Sequence, residues 1–177
     1  MPRQRVAYCR FTRHLEHYTP RVRGNEVRKP IRVLVVDDFK IWREWLRSKL
    51  VDCDRFHIVE EASNGNEALT KARQLSPDLI VLDIGMPGLS GIETASLLRA
   101  HVPNAKIIFL SQNDDFDLVR TVLNDGASGY VLKAEAENDL LPSIQAVLEG
   151  GIFSSKRLGT KTRPEEVPGG PPNRENA

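Results

Sequence analysis

Apolar and polar positions switch repeatedly between two periods along the middle of this chain. Residues 31–36, IRVLVV, form an unbroken run rich in β-branched side chains and predict a buried strand. Over 40–51, Ile41, Trp42, Trp45, Leu46 and Leu50 recur at helical spacing and predict a helix with these residues inward. FHIVEEA (56–62) predicts a second strand, and GNEALTKARQL (65–75) a helix with Ala68, Leu69, Ala72 and Leu75 on one face. LIVLDI (79–84) is the third strand, followed by a helix capped at Ser90 or its neighbour and running through about His101. AKIIFLS (105–111) predicts the fourth strand, DFDLVRTVLNDG a helix stopped by Gly126, and GYVLK (129–133) the fifth strand. Asn138 or Asp139 is expected to begin the last helix, with Pro142 in its first turn, where a missing N–H costs little.

Five strand–helix pairs with short links predict a parallel sheet, since parallel neighbours need a crossover. Strands apolar on both sides then require helices on both faces. The fold class is therefore doubly wound α/β. In such sheets ligands bind outside the carboxyl ends of the strands, where strand order reverses.

The ends of the chain read differently. MPRQRVAYCRFTRHLEHYTPRVRGNEVRKP has neither period and few large aliphatics, so residues 1–30 are expected to be a disordered basic arm. Its arginines and shortage of acids faintly resemble an organelle transit peptide, although it contains no serine. The folded domain is expected over 31–154. The stretch 155–177, which includes TKTRPEEVPGGPPNRENA, is too rich in Pro, Gly and charge to bury a core and is expected to be a disordered tail.

Composition refines this division. The net charge of +1 conceals 8 basic and 2 acidic residues in 1–30, and 5 basic and 3 acidic in 155–177. The remainder holds 12 basic and 19 acidic residues, so an acidic body carries basic ends. No run approaches the ~20 apolar residues of a membrane span, and no apolar block opens the chain as in a secretory signal. Cys9 and Cys53, far apart and with no neighbouring Cys or closely spaced His set, suggest neither a disulfide framework nor a zinc site. A soluble, cytoplasmic protein is expected.

The candidate chemistry stands at the strand ends. In LIVLDIGMPG, residues 79–88, four apolar residues run into Asp83 and a Gly-Met-Pro-Gly turn follows. Strand one ends in Asp37 and Asp38, strand four in Ser111 and strand five in Lys133. Taken singly, an aspartate here is a helix cap, Ser111 a loop hydroxyl and Lys133 a solvated cation. Brought to one edge, three carboxylates repel unless a cation intervenes. Hard oxygen ligands suit Mg²⁺, which is usually held by one or two carboxylates together with a phosphate. Lys133 can then pair with the phosphate as a point charge, and the Ser111 hydroxyl can donate to another of its oxygens. An oxygen nucleophile, a metal and a balancing cation are the parts of phosphoryl transfer.

At this point VLVVDDF, LIVLDIGMPGLSG, IIFLS and GYVLKA resemble the signatures of two-component response-regulator receiver domains, over about residues 31–153. The resemblance implies a flavodoxin-like five-stranded parallel sheet of order 2-1-3-4-5. It implies that Asp83 accepts the phosphoryl group, that Asp38 binds Mg²⁺ directly with Asp37 in support, and that Gly85 lends a backbone carbonyl to the metal. Ser111 and Lys133 would contact the phosphoryl group, and Tyr130 matches an aromatic that changes rotamer with the hydroxyl residue. Gly91 matches the glycine that begins the following helix. The donor would be a histidine kinase, a histidine phosphotransfer protein or a small phosphodonor. The domain would catalyse its own phosphorylation and dephosphorylation without being a conventional enzyme.

GYVLKAEAENDLLPSIQAVLEGGIFSS is closest to receivers of LuxR-type (NarL/FixJ-like) regulators, but after Ser155 too few residues remain for their helix-turn-helix. No specific DNA binding is therefore expected of this chain, nor membrane contact. Output would pass through the face of helix 4, strand 5 and helix 5, to a second copy or a separate effector. Two departures stand out: Gln112 where receivers usually carry a small residue, and Ala134 where many carry a cis-proline. Gln112 alone supports the alternative of a degenerate receiver acting as a constitutive interaction module. A haloacid-dehalogenase-like phosphatase also uses a strand-end aspartate with Mg²⁺, but needs two aspartates separated by one residue, whereas DDFK supplies adjacent ones.

Overall fold

The structure is a computed structural model and describes residues 29–155 apart from positions 52 and 54. The basic arm and the Pro/Gly-rich tail expected from the sequence thus lie almost entirely outside the described residues. Six strands, β1 (Ile31–Val36), β2 (Phe56–Ala62), β3 (Leu79–Leu82), β4 (Lys106–Ser111), β5 (Gly129–Leu132) and β6 (Phe153–Ser154), form one sheet. Five helices cover it: α1 (Lys40–Val51), α2 (Gly65–Leu75), α3 (Gly91–His101), α4 (Phe116–Asn124) and α5 (Ala136–Leu148). The strand order is β2-β1-β3-β4-β5-β6 and every pairing is parallel. This is the flavodoxin-like order expected from the sequence, extended by one short strand.

The β-branched runs are explained by the pleat, which sends successive side chains to opposite faces. Leu34, Val36, Ile80, Leu82 and Phe109 pack with Ala68 and Ala72 of α2, Ala95 and Leu98 of α3, and Val119 and Val122 of α4. Val33, Val35, Leu79, Val81, Ile108 and Leu110 pack with Leu46 and Leu50 of α1 and Leu140, Ile144 and Val147 of α5. Each central strand therefore serves two cores, which is why it carries no polar alternation.

Three expectations are corrected. First, β2, at the sheet edge where the expected order puts it, is not apolar on both sides: its only fully buried residue is Ala62, and a register shift against β1 falls between Val33 and Leu34. Glu60 and Glu61 are tolerated because an edge strand faces a second core only in part. Second, Ile41 on α1 is 71% exposed, so the inward face of this helix is carried by Leu46 and Leu50 with Trp42 and Trp45 partly buried. Third, α5 begins at Ala136 rather than Asn138 or Asp139, directly after a 3-10 turn over Lys133–Glu135, and Pro142 lies well inside it. Burial of Ala136 and Leu140 on the sheet outweighs the backbone hydrogen bond that Pro142 cannot make.

The short β6 pairs Phe153 with Gly129 and Ser154 with Tyr130. Buried Ser155 donates its N–H to the Tyr130 carbonyl at 3.0 Å, and its Oγ accepts the N–H of Leu132 at 3.1 Å. These bonds satisfy the outer edge of β5 next to Lys133. Among the described residues no helix is long and apolar enough to cross a membrane.

Candidate functional site

The carboxyl ends of β1, β3, β4 and β5 carry Asp37, Asp38, Asp83, Ser111 and Lys133. Parallel pairing aligns these ends, because the N–H of Asp37 bonds the Ala62 carbonyl at 3.1 Å and that of Asp83 bonds the Val36 carbonyl at 2.8 Å. The sheet ladder thus continues one residue past β1 and β3 and holds both aspartates by their backbones. Single oxygens of Asp37, Asp38 and Asp83 all lie within 4.8 Å of one another.

Burial makes this cluster demanding. Asp37 is 1% exposed and Asp83 5% exposed. Lys133, itself buried, places Nζ 2.7 Å from Asp37 Oδ2 and 3.2 Å from Asp83 Oδ1. Asp37 Oδ1 also accepts the Phe39 N–H at 2.9 Å. Burial nevertheless holds the Asp37 carboxyl above its ordinary range, with the hydrogen bonds from Lys133 and Phe39 pulling the other way and the charge of Asp83 adding to the rise. Asp38 Oδ1 is buried with no hydrogen-bond partner. Three carboxylates against one ammonium, with an orphan oxygen among them, fit a hard divalent cation that prefers oxygen donors. Gly85 belongs to the same corner: a Cβ there would stand 3.6 Å from Asp83 Oδ2.

The turn after Asp83 is built to stay out of its way. Gly88 has φ +76°, in the left-handed region that glycine reaches without strain. Ser90 caps α3 in a reciprocal box with Glu93, and Gly91 donates its N–H to the Ile84 carbonyl at 3.0 Å. A Cβ on Gly91 would meet the Asp83 carbonyl oxygen at 2.0 Å. Only a glycine lets α3 start this close to the strand end.

On the other side, buried Ser111 accepts the N–H of Asn113 at 3.1 Å, and the Tyr130 hydroxyl donates to the Asn113 carbonyl at 2.7 Å. The Tyr130 ring is wholly enclosed. Burial pushes the Tyr130 phenol above its ordinary range, the hydrogen bond with Ser111 opposes this, and the charge of Asp83 adds to it. Asp115 caps α4 by accepting the N–H groups of Asp117 and Leu118. Gln112 and Ala134, the two departures, are both exposed.

The structure therefore gathers Asp37, Asp38, Asp83, Gly85 and Lys133 in one corner, with Ser111 and Tyr130 joined beside it through Asn113. Sequence reasoning missed three contributors. Arg43 donates from Nη1 to the Asp37 carbonyl at 2.7 Å and the Asp38 carbonyl at 3.3 Å, fixing the β1–α1 loop. Asn113 ties Ser111 to Tyr130, and the Trp42 ring lies under the Lys133 ammonium at 4.9 Å. Helical spacing marked Trp42 as apolar face, but no spacing rule announces a backbone-directed arginine or the cation that a ring will meet.

Comparisons with known proteins identify the family and the fold. The model of the response regulator receiver domain family matches residues 33–145. The nitrate/nitrite response regulator protein homolog of Haemophilus influenzae is 35% identical over 128 residues, covering 72% of this chain and 62% of that protein. The chain thus spans less than two thirds of that relative's length. A LuxR-family two-component response regulator from Aurantimonas sp. SI85-9A1 superposes with a TM-score of 0.71 at 29% identity, over 75% of this chain and 95% of that one. The isolated REC domain of RcsB from Salmonella enterica serovar Typhimurium, in the presence of the phosphomimetic BeF3⁻, gives 0.70 at 25% identity, over 74% and 97%.

Proposed function

The chain belongs to the response-regulator receiver family of two-component systems, and from that premise we propose that Asp83 is its phosphoacceptor. The observation that carries this is the buried carboxylate of Asp83 at 3.2 Å from Lys133, within 4.8 Å of Asp37 and Asp38. A carboxylate oxygen of Asp83 attacks the phosphorus of a phosphohistidine or of a small phosphodonor. The bond from phosphorus to the donor nitrogen or oxygen breaks, and the leaving group keeps its electron pair. Burial and backbone pairing keep the nucleophile aimed at the cleft, which lowers the entropic cost of in-line approach.

Asp38 and Asp83, with the Gly85 carbonyl, would hold Mg²⁺, and Asp37 supports them while bonded to Phe39 and Lys133. The metal when bound neutralises charge on the transferring oxygens. Lys133 exchanges its contact with Asp83 for a phosphoryl oxygen, and Ser111 turns its hydroxyl to another. Water later attacks the same phosphorus, returning the Asp83 carboxylate and inorganic phosphate. The domain serves as a cytoplasmic signalling switch rather than as an enzyme for a separate substrate.

Output runs through α4, β5 and α5. Tyr130 is already enclosed beside Ser111, so a phosphate on Asp83 tightens a preformed arrangement and shifts its population. The partner on that face is a second copy of the chain or a separate effector, and the donor is a histidine kinase or histidine phosphotransfer protein.

Incubation with acetyl phosphate and Mg²⁺, followed by intact-mass and peptide mass spectrometry, tests the assignment. A base-labile phosphate adduct is expected at Asp83, absent when Mg²⁺ is chelated and absent in Asp83→Asn, whose amide has nearly the same shape but cannot serve as the nucleophile. Equal labelling of that variant would remove Asp83 from the role. An unreactive wild type would favour a constitutive interaction module.

A further inference from the structure

The Lys133 ammonium has three N–H groups to satisfy in a place where its side chain is only 4% exposed. Asp37 Oδ2 and Asp83 Oδ1 take two directions, at 2.7 and 3.2 Å. Beside them stands the face of Trp42, whose ring centroid lies 4.9 Å from Nζ. An indole face carries negative quadrupolar potential, and its attraction for a cation grows when water is excluded.

The ring is itself held. Trp42 packs edge-on to Trp45, with centroids 5.5 Å apart and planes at 74°. Trp45 lies beneath the ammonium of Lys49 at 5.6 Å, and Lys49 is ion-paired with Glu137 in the first turn of α5. Since α5 begins directly after the turn that contains Lys133, the contacts close a loop. The backbone of Lys133 leads into α5, α5 is tied to α1, and α1 presents the ring that holds the head of Lys133.

We propose that Trp42 is a positioning residue for Lys133, keeping its ammonium inside the cleft while Asp83 exchanges a contact with lysine for a bond to phosphorus. The role rests on the phosphoacceptor reading of Asp83. When Asp83 is esterified, Lys133 loses its contact with a full carboxylate and must meet a phosphoryl oxygen instead. Asp37 and the indole face are the two groups that do not change during that exchange. An aliphatic residue at position 42 would fill space but take the aromatic face away from the ammonium, and the cation would spend more time turned away.

The test uses the full chain and three forms, wild type, Trp42→Phe and Trp42→Leu, each labelled with acetyl phosphate and Mg²⁺. Labelling of Trp42→Leu should be slower by about threefold to tenfold, while Trp42→Phe, which keeps an aromatic face, recovers most of the rate. Mg²⁺ affinity measured by calorimetry should stay close to wild type in both, since the lost contact is with the ammonium and not with the carboxylates. In Trp45→Phe, where Trp42 is the only tryptophan left of two, adding Lys133→Met should shift the emission maximum. Equal rates for Trp42→Leu and wild type overturn the proposal. So does a Phe variant as slow as the Leu variant, a parallel fall in Mg²⁺ affinity, or an emission indifferent to Lys133. Those failures in a chain whose wild type is labelled at Asp83 concern Trp42 alone, whereas an unlabelled wild type removes the phosphoacceptor reading and this role together.

Discussion

Gly91 shows how little room the site leaves at the scale of one residue. Its missing Cβ would stand 2.0 Å from the Asp83 carbonyl oxygen and 2.7 Å from Ile84 Cα, and both neighbours are backbone that cannot rotate away. Gly91→Ala is therefore expected to push α3 from the strand end and lower stability by about 2–3 kcal/mol, as overpacking does. Denaturant unfolding measures the loss, and labelling of Asp83 should slow with it because the backbone of the proposed nucleophile is displaced. Gly85→Ala is the control. Its Cβ would meet Asp83 Oδ2 at 3.6 Å, an ordinary contact, so its unfolding midpoint should stay close to wild type. The sequence pointed to both glycines only through resemblance, since the reason for each is a distance across a turn.

Among the elements, α2 carries a charge device that no core argument requires. Asn64 accepts the Glu67 N–H at 3.0 Å, and Glu67 Oε2 accepts the Ser63 N–H at 2.7 Å, so the entry to the helix satisfies its own donors. Lys71 pairs with Glu67 at 2.7 Å. The hydrogen bond from Lys71, followed by that from the Ser63 N–H, lowers the Glu67 carboxyl from 4.5 to about 2. A carboxyl depressed on folding contributes stability that is full above its unfolded value and is lost as pH falls through the folded one. The stability from Glu67 should therefore be present above pH 4.5 and fade between 4.5 and about 2. Glu67→Gln should be less stable than wild type at neutral pH, with the gap closing across that window, as measured by denaturant unfolding at a series of pH values. A gap independent of pH would assign the effect to packing instead. The identity of five strands and five helices was legible because apolar runs and helical spacing are local properties, whereas the two-residue β6 is too short to carry either period. The start of α5 was not, because burial of Ala136 against the sheet decides it.

At the scale of the whole molecule, two cores on opposite faces of one sheet meet the site at a single edge. Tyr130 joins them through the chain: its ring lies in one core while β5 leads to Lys133 and on to α5, which covers the other. Beryllofluoride with Mg²⁺ should therefore increase amide protection beyond the Asp83 pocket, over residues 111–150, and change the sedimentation of the chain or its capture of an effector. A ligand can shift this equilibrium only by its differential affinity for the two states. Protection confined to the pocket, with unchanged assembly, would refute output through α4, β5 and α5.

Local pattern alone determined the alternation of strands and helices, the parallel class and the placing of Asp37, Asp38, Asp83, Ser111 and Lys133 at strand ends. Each of these follows from periodicity and from the short links that force crossovers. Tertiary structure decided the rest: that a sixth strand extends the sheet, that Ser155 seals β5, that Arg43 locks the loop behind two aspartates, and that the Trp42 ring stands beneath Lys133. Such facts depend on which side chains distant segments present to one another after packing. A helical period says that Trp42 turns inward; only the approach of α1 to the end of β5 gives its ring a cation to hold.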